Sequence, residues 1–203
     1  MRGTVRRSGT AGLLTAVLLA GLSGCTGEAG DAAACTDGTY AWSGVRRTQQ
    51  LTALTDPLVF ETRTDSYSAA LKPFGDTVHR PRVTGAPRGV GAAAVIEALG
   101  RRVRAEVPLA GPGETDRPED DHYFEVATGD LEGAYYGWGS IDLVEAAFTY
   151  TCPGAEPARG HVRTWEHTGS GFLSCSEPSG EPAGRAAALR RCPAGSVAAE
   201  DAV

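Results

Sequence analysis

The longest strand candidate in this 203-residue chain covers residues 139–152. Ile141, Leu143, Val144, Phe148 and Tyr150 within it suggest a central position in a sheet. Other segments supply neighbours. Residues 39–45 are rich in aromatic and β-branched side chains and read as a first strand, with Tyr40 and Trp42 on one inward face. Residues 49–60 read as a second, broken by Asp56-Pro57. Residues 102–109 alternate, with Val103, Ala105, Val107 and Leu109 on one side and Arg102, Arg104 and Glu106 on the other, the pattern of a half-buried strand. Residues 122–128 alternate again, Phe124 and Val126 sharing a face. Residues 160–166 and 171–175 read as two more strands, joined through the hairpin signal at 167–171.

Helical signals are fewer. Residues 65–71 are read as one or two turns capped by Asp65. Ala92, Val95, Ile96 and Leu99 fall on one helical face, with Gly100 as a stop. In residues 182–192, Pro182 suits a first turn, Leu189 and Cys192 share a face, and Arg190-Arg191 suit the negative C-terminal end. Residues 72–91 read as irregular. Most connections are too short for helical crossovers, so the strands are expected to be antiparallel. The expected fold is mainly β (α+β): one domain over residues 35–192, an antiparallel sandwich or partly open barrel with two or three short helices on one side, then a C-terminal tail at 193–203.

The N-terminus has a different character. Arg2, Arg6 and Arg7 precede an uncharged, mostly apolar run at residues 11–21, too short for a membrane span. A basic start, a short apolar core and small residues describe an export signal. Leu22-Ser23-Gly24-Cys25 closes it and resembles the lipobox of bacterial lipoproteins. The resemblance implies that residues 1–24 are a removed signal peptide. It implies that Cys25 becomes a diacylglyceryl cysteine, and that the mature chain sits lipid-anchored on the extracytoplasmic face of the cell membrane. Two acyl chains suffice for stable anchoring. Arg6-Arg7 also invites a twin-arginine export route, but Gly9 stands where that signal wants a bulky apolar residue, which favours the general route. Residues 25–34, small and acidic, read as a flexible tether.

With Cys25 assigned to lipid, Cys35, Cys152, Cys175 and Cys192 remain, an even number in an oxidising compartment. Three pairings are open to them. Cys35–Cys152 with Cys175–Cys192 is favoured: the first would staple the N-terminal strand to a late one, the second would pin the C-terminal helix to the sheet. The mature part is also similar to small lipoproteins of high-GC Gram-positive bacteria. That similarity is carried by residues 35–42, by Thr164-Trp165 and by Cys175 and Cys192, and it implies no activity.

Charge limits the partners. The chain carries a net charge of −6; three of its 19 basic residues and none of its 25 acids lie in the signal, which leaves −9. That argues against nucleic acid and against electrostatic docking on anionic lipid.

Catalytic patterns are weak. The acidic stretch at 114–121, followed by His122, offers oxygen ligands, but its order is not that of an EF-hand loop and it reads as a solvated loop. Asp120, Glu125, Asp142 and Glu145 are candidates for paired-carboxylate chemistry. Neither Ser140 nor Ser170 stands in a Gly-x-Ser-x-Gly elbow; both read as turn residues. Cys-x-x-Cys is absent, and the single lysine, Lys72, sits in no phosphate-cradling loop. His79, His122, His161 and His167 show no metal-ligand spacing, and no cofactor is expected. Two surfaces remain as possible binding sites. On one strand His161, Arg163, Trp165 and His167 share parity and so a face. Tyr135, Tyr136 and Trp138 form an aromatic cluster that would suit recognition if exposed. The favoured reading is a membrane-anchored binding module for a protein or envelope ligand. The alternative is a cell-surface hydrolase of envelope polymers in which His122 or His167 meets an acid. A purely structural envelope protein would have neither an aromatic patch nor a cleft.

Overall fold

The computed structural model describes residues 35, 37–75, 78–116, 122–127 and 129–203. The signal, Cys25 and the tether lie outside the described residues, as do residues 117–121 of the acidic stretch. In chain order the described elements are β1 (Thr39–Leu54), β2 (Leu58–Thr64), β3 (Tyr67–Pro73), β4 (Arg82–Thr84), α1 (Ala92–Val103), β5 (His122–Val126), β6 (Leu131–Thr151), β7 (Ala158–Ser174), α2 (Pro182–Arg191) and α3 (Val197–Asp201). All strand pairings are antiparallel. They build one open sheet in the order β4–β7–β6–β1–β3–β5, and β2 pairs with β6 beyond the end of β1. The protein is mainly β, with three short helices and two disulfides.

β6 is the spine. Its alternation is the reason: Val144, Ala146, Phe148 and Tyr150 point to one face, Ile141 and Leu143 to the other, and all six are buried. A strand buried on both faces belongs inside a sheet. On the even-numbered face, Val95, Ile96 and Leu99 of α1 pack on Val144, Ala146, Phe148 and Val162. Tyr40 and Trp42 stack on each other and meet Phe148 with their edges, as their shared parity on β1 predicts. Nearer the start of β6, Tyr136 and Trp138 lie beneath Ala183, Ala187 and Ala188 of α2 and Ala198 of α3.

Both expected disulfides are formed. Cys35–Cys152 ties the chain just before β1 to the end of β6, and Cys175–Cys192 ties the end of β7 to the end of α2. The folded unit continues past Cys192. Ser196 caps α3 by accepting from the Ala199 N–H, and Ala198 is buried with its N–H donated to the Cys175 carbonyl.

Several local expectations are corrected. Residues 65–71 are not helical: Tyr67–Pro73 is a strand, Ala69 and Leu71 are buried, and β3 pairs with β5 and with the end of β1. Seven residues are too few to separate a period of 2 from one of 3.6. Residues 102–109 are not a strand. Gly100 does not stop α1, which runs on to Val103; Arg104 then takes a left-handed φ of 53° and the Ala105 N–H returns to the Gly100 carbonyl. Residues 39–54 form one strand rather than two, and so do residues 158–174. No hairpin forms at 167–171: residues 168–171 pair with residues 138–141 of β6, and His167 lies at an irregularity in the pairing. The last glycine of this stretch is there for approach: a Cβ at Gly171 would overlap the Trp138 indole. Leu189 is exposed, and the inward residues of α2 are Ala183, Gly184, Ala187 and Ala188.

Candidate functional site

The odd-numbered face of β6 carries a row of charged side chains running straight across four strands. Arg82 of β4 stands opposite Arg163 of β7, Arg163 opposite Glu145 of β6, and Glu145 opposite Arg46 of β1. The Glu145 carboxylate lies between two of these cations, 3.2 Å from Nε of Arg163 and 3.8 Å from Nη2 of Arg46. Arg82 forms no ion pair with an acid among the described residues.

A cleft of about 410 Å³ opens over Arg82, Arg163 and Glu145 of this row. Leu143 and Trp165 line it; both are buried, Trp165 with 8 % of its surface exposed. Thr84 and His161, cross-strand partners, line it next to the charged row. The segment 78–80 closes another side, bringing His79 and Arg80. That segment is held by backbone pairing of His79 with Asp116, with N–H to O distances of 2.9 and 3.0 Å. The loop after α1 is fastened to β7 just beside the cleft: the Ala110 N–H donates to the Trp165 carbonyl and the Thr164 hydroxyl donates to the Ala110 carbonyl.

His79 is 5 % exposed. Burial pushes its imidazole below the usual histidine range, Asp116 pulls it back up, and Arg163 adds to the depression. Burial also raises the Asp116 carboxyl above the usual range, with His79 opposing. At neutral pH the cleft is therefore cationic through its arginines, whose charge does not titrate away.

The sequence-predicted surfaces divide. His161, Arg163 and Trp165 do share a face and all line the cleft. His167 does not join them. β7 carries one extra residue between Trp165 and Thr168, where Leu143 and Ile141 are their partners, and this bulge takes His167 out of the series. Tyr136 and Trp138 are not a surface: they retain 0 % and 2 % exposure beneath α2. Tyr135, of opposite parity, is half-buried on the other face, stacked on Phe172 and meeting Phe60 edge-on. Of the candidate carboxylates only Glu145 lines the cleft; Asp120 and the His122 side chain lie outside the described residues. Glu114 of the acidic stretch accepts from the Gly111 N–H. No three His, Cys, Asp or Glu side chains converge as metal ligands among the described residues.

Residue reasoning missed Arg82, Arg80, His79 and Arg46. Arg82 belongs to a three-residue strand inside a proline-punctuated segment, and only its register opposite Arg163 gives it meaning. No family model, no curated protein and no solved structure matches this chain.

Proposed function

We propose that the protein is a lipid-anchored binding module on the extracytoplasmic face of the cell membrane, and that the arginine-lined cleft is where it binds. The cleft carries the binding half of this reading. It combines permanently charged donors, an apolar floor at Leu143 and Trp165, and a rigid sheet beneath, the composition expected of a small-ligand site. The lipobox at 22–25 carries the location half. Of the acids the sequence offered for a hydrolase, Glu145 alone lines the cleft among the described residues, and it is held by Arg163 and Arg46.

Each half has its own test. In cells expressing the full chain, Cys25→Ser should move the protein from the membrane fraction to the soluble fraction with its signal removed; retention in the membrane after processing would overturn the anchor. Soluble envelope material titrated into the protein should shift NMR resonances of His161, Arg163 and Trp165. Shifts confined to the α2 side, or none, would overturn the assignment of the site.

A further inference from the structure

We infer that the cleft takes a phosphate monoester, a dianionic oxyanion carried on a planar or apolar group, and that Glu145 is the internal anion it displaces from Arg163. This rests on the reading of the cleft as a binding site.

Charge comes first. Like charges directly opposite each other on adjacent strands repel, and Arg82 and Arg163 are such a pair. One carboxylate serves the row, and it leans to the side of Arg163 and Arg46, away from Arg82. Arg80 adds a third guanidinium to the lining. Of the side chains that line the cleft, Arg80, Arg82 and Arg163 stand against the one carboxylate of Glu145, an excess of two positive charges that favours a dianion over a single carboxylate ligand; Arg46, outside the lining, adds a further cation at Glu145. This concentration of positive charge sits on a chain whose net charge is −6. It is a local feature of the site, not a property of the surface at large.

Geometry comes second. Cross-strand neighbours hold their Cβ atoms about 5 Å apart. Two guanidinium forks at that spacing can each direct paired N–H donors at one oxyanion. The exchange replaces one anion with another at Arg163, so that guanidinium keeps an anionic partner throughout. When Arg163 turns to the ligand, Arg46 remains beside the half-buried Glu145 carboxylate, which keeps a cationic neighbour.

Shape comes third. The volume suits a small molecule and not a folded partner. The Trp165 and Leu143 floor gives the group that bears the phosphate an apolar surface to lie on.

Calorimetric titration of the full chain with phenyl phosphate, inorganic phosphate and benzoate tests this, inorganic phosphate probing the head alone and benzoate the ring with a single negative charge. Phenyl phosphate should bind more tightly than either. Arg82→Gln should weaken it about tenfold or more, as the loss of charge-assisted hydrogen bonds predicts. Arg82→Lys, which keeps the charge and removes the fork, should fall between. Glu145→Gln should tighten binding, because the competing anion is gone. Arg82 is exposed on an edge strand, so its variants test binding with the fold retained. Unchanged affinity in Arg82→Gln, or weaker binding in Glu145→Gln, would overturn the inference. Equal affinity for inorganic phosphate would overturn its ester half. Binding of benzoate but not of phenyl phosphate would overturn the phosphate and leave the cleft a binding site. Failure of every probe, with cleft resonances also unmoved by envelope material, would remove the underlying reading as well.

Discussion

His79 is the side chain most exposed to the consequences of acid. In the folded chain its pKa is depressed, chiefly by burial, so the unfolded chain takes up the proton first as pH falls. Stability from the neutral imidazole is thus present above the ordinary histidine pKa and is lost as pH drops through it. Asp116 behaves in the opposite sense. Its folded pKa is raised, so its contribution is present at low pH and is lost as pH rises through the carboxylate range. The Asp116 window opens at the ordinary carboxylate value of about 4 and runs upward, opposing the histidine. Between about pH 7.5 and 5.5 the loss on acidification is that of His79, whose ordinary pKa of about 6.5 lies inside that interval. The urea midpoint should therefore fall across that interval, and fall less in His79→Gln, because glutamine does not titrate. Equal falls in both proteins would show that another group governs the acid limb. Arg163 is the remaining charge felt by this imidazole, and an arginine keeps its charge throughout the interval.

Among the elements, β7 separates what residues announce from what packing decides. Gly169, Ser170 and Gly171 form the combination that marks a tight turn, yet all three lie in regular pairing with β6. The indole of Trp138 explains the glycine at 171, since any side chain there would occupy the same space. Gly184 of α2 would also crowd that indole with a Cβ. Gly171→Ala should cost about 1–3 kcal/mol, the usual penalty of overpacking a filled site, read as a lower urea midpoint. A change within a few tenths of a kcal/mol would mean that the ring has room to move. The same contrast governs what was legible elsewhere. The alternation of β6 and the Pro182 start of α2 are local patterns; α2 starts where its pattern puts it, whereas β6 covers the expected stretch but begins eight residues earlier, at Leu131. The end of α1 turns on a left-handed Arg104, which no propensity signals. The cleft was half legible. His161, Arg163 and Trp165 can be read off one strand, but Arg82 and Arg46 reach them only through sheet register, which couples segments far apart in the chain.

For the whole molecule, the cysteine pairing was legible because four cysteines beyond Cys25 leave only three arrangements, and the topology brings the favoured pairs within bonding distance. Cα–Cα separations are 6.2 Å for Cys35–Cys152 and 5.5 Å for Cys175–Cys192. The second bridge closes a short loop, with a sequence separation of 17. Removing it as Cys175→Ser/Cys192→Ser should cost about 3 kcal/mol, read from urea unfolding under oxidising conditions. The loss should release α2 and uncover the Tyr136 and Trp138 rings beneath it. A double variant as stable as the parent would show that the alanine face of α2 holds the helix without help.

The first bridge has a mechanical meaning. If the chain is held by the proposed N-terminal anchor, load enters the domain at Cys35. Without the bridge, that load would fall on the terminal Thr39–Thr151 rung and peel β1 from β6 one pair at a time, the weakest way to strain a ladder of hydrogen bonds. The disulfide diverts tension through Cys152 into the end of β6, which is paired along both edges. The domain would then hang from its central strand, and pulling from Cys35 should open it at markedly lower force once that one bridge is reduced.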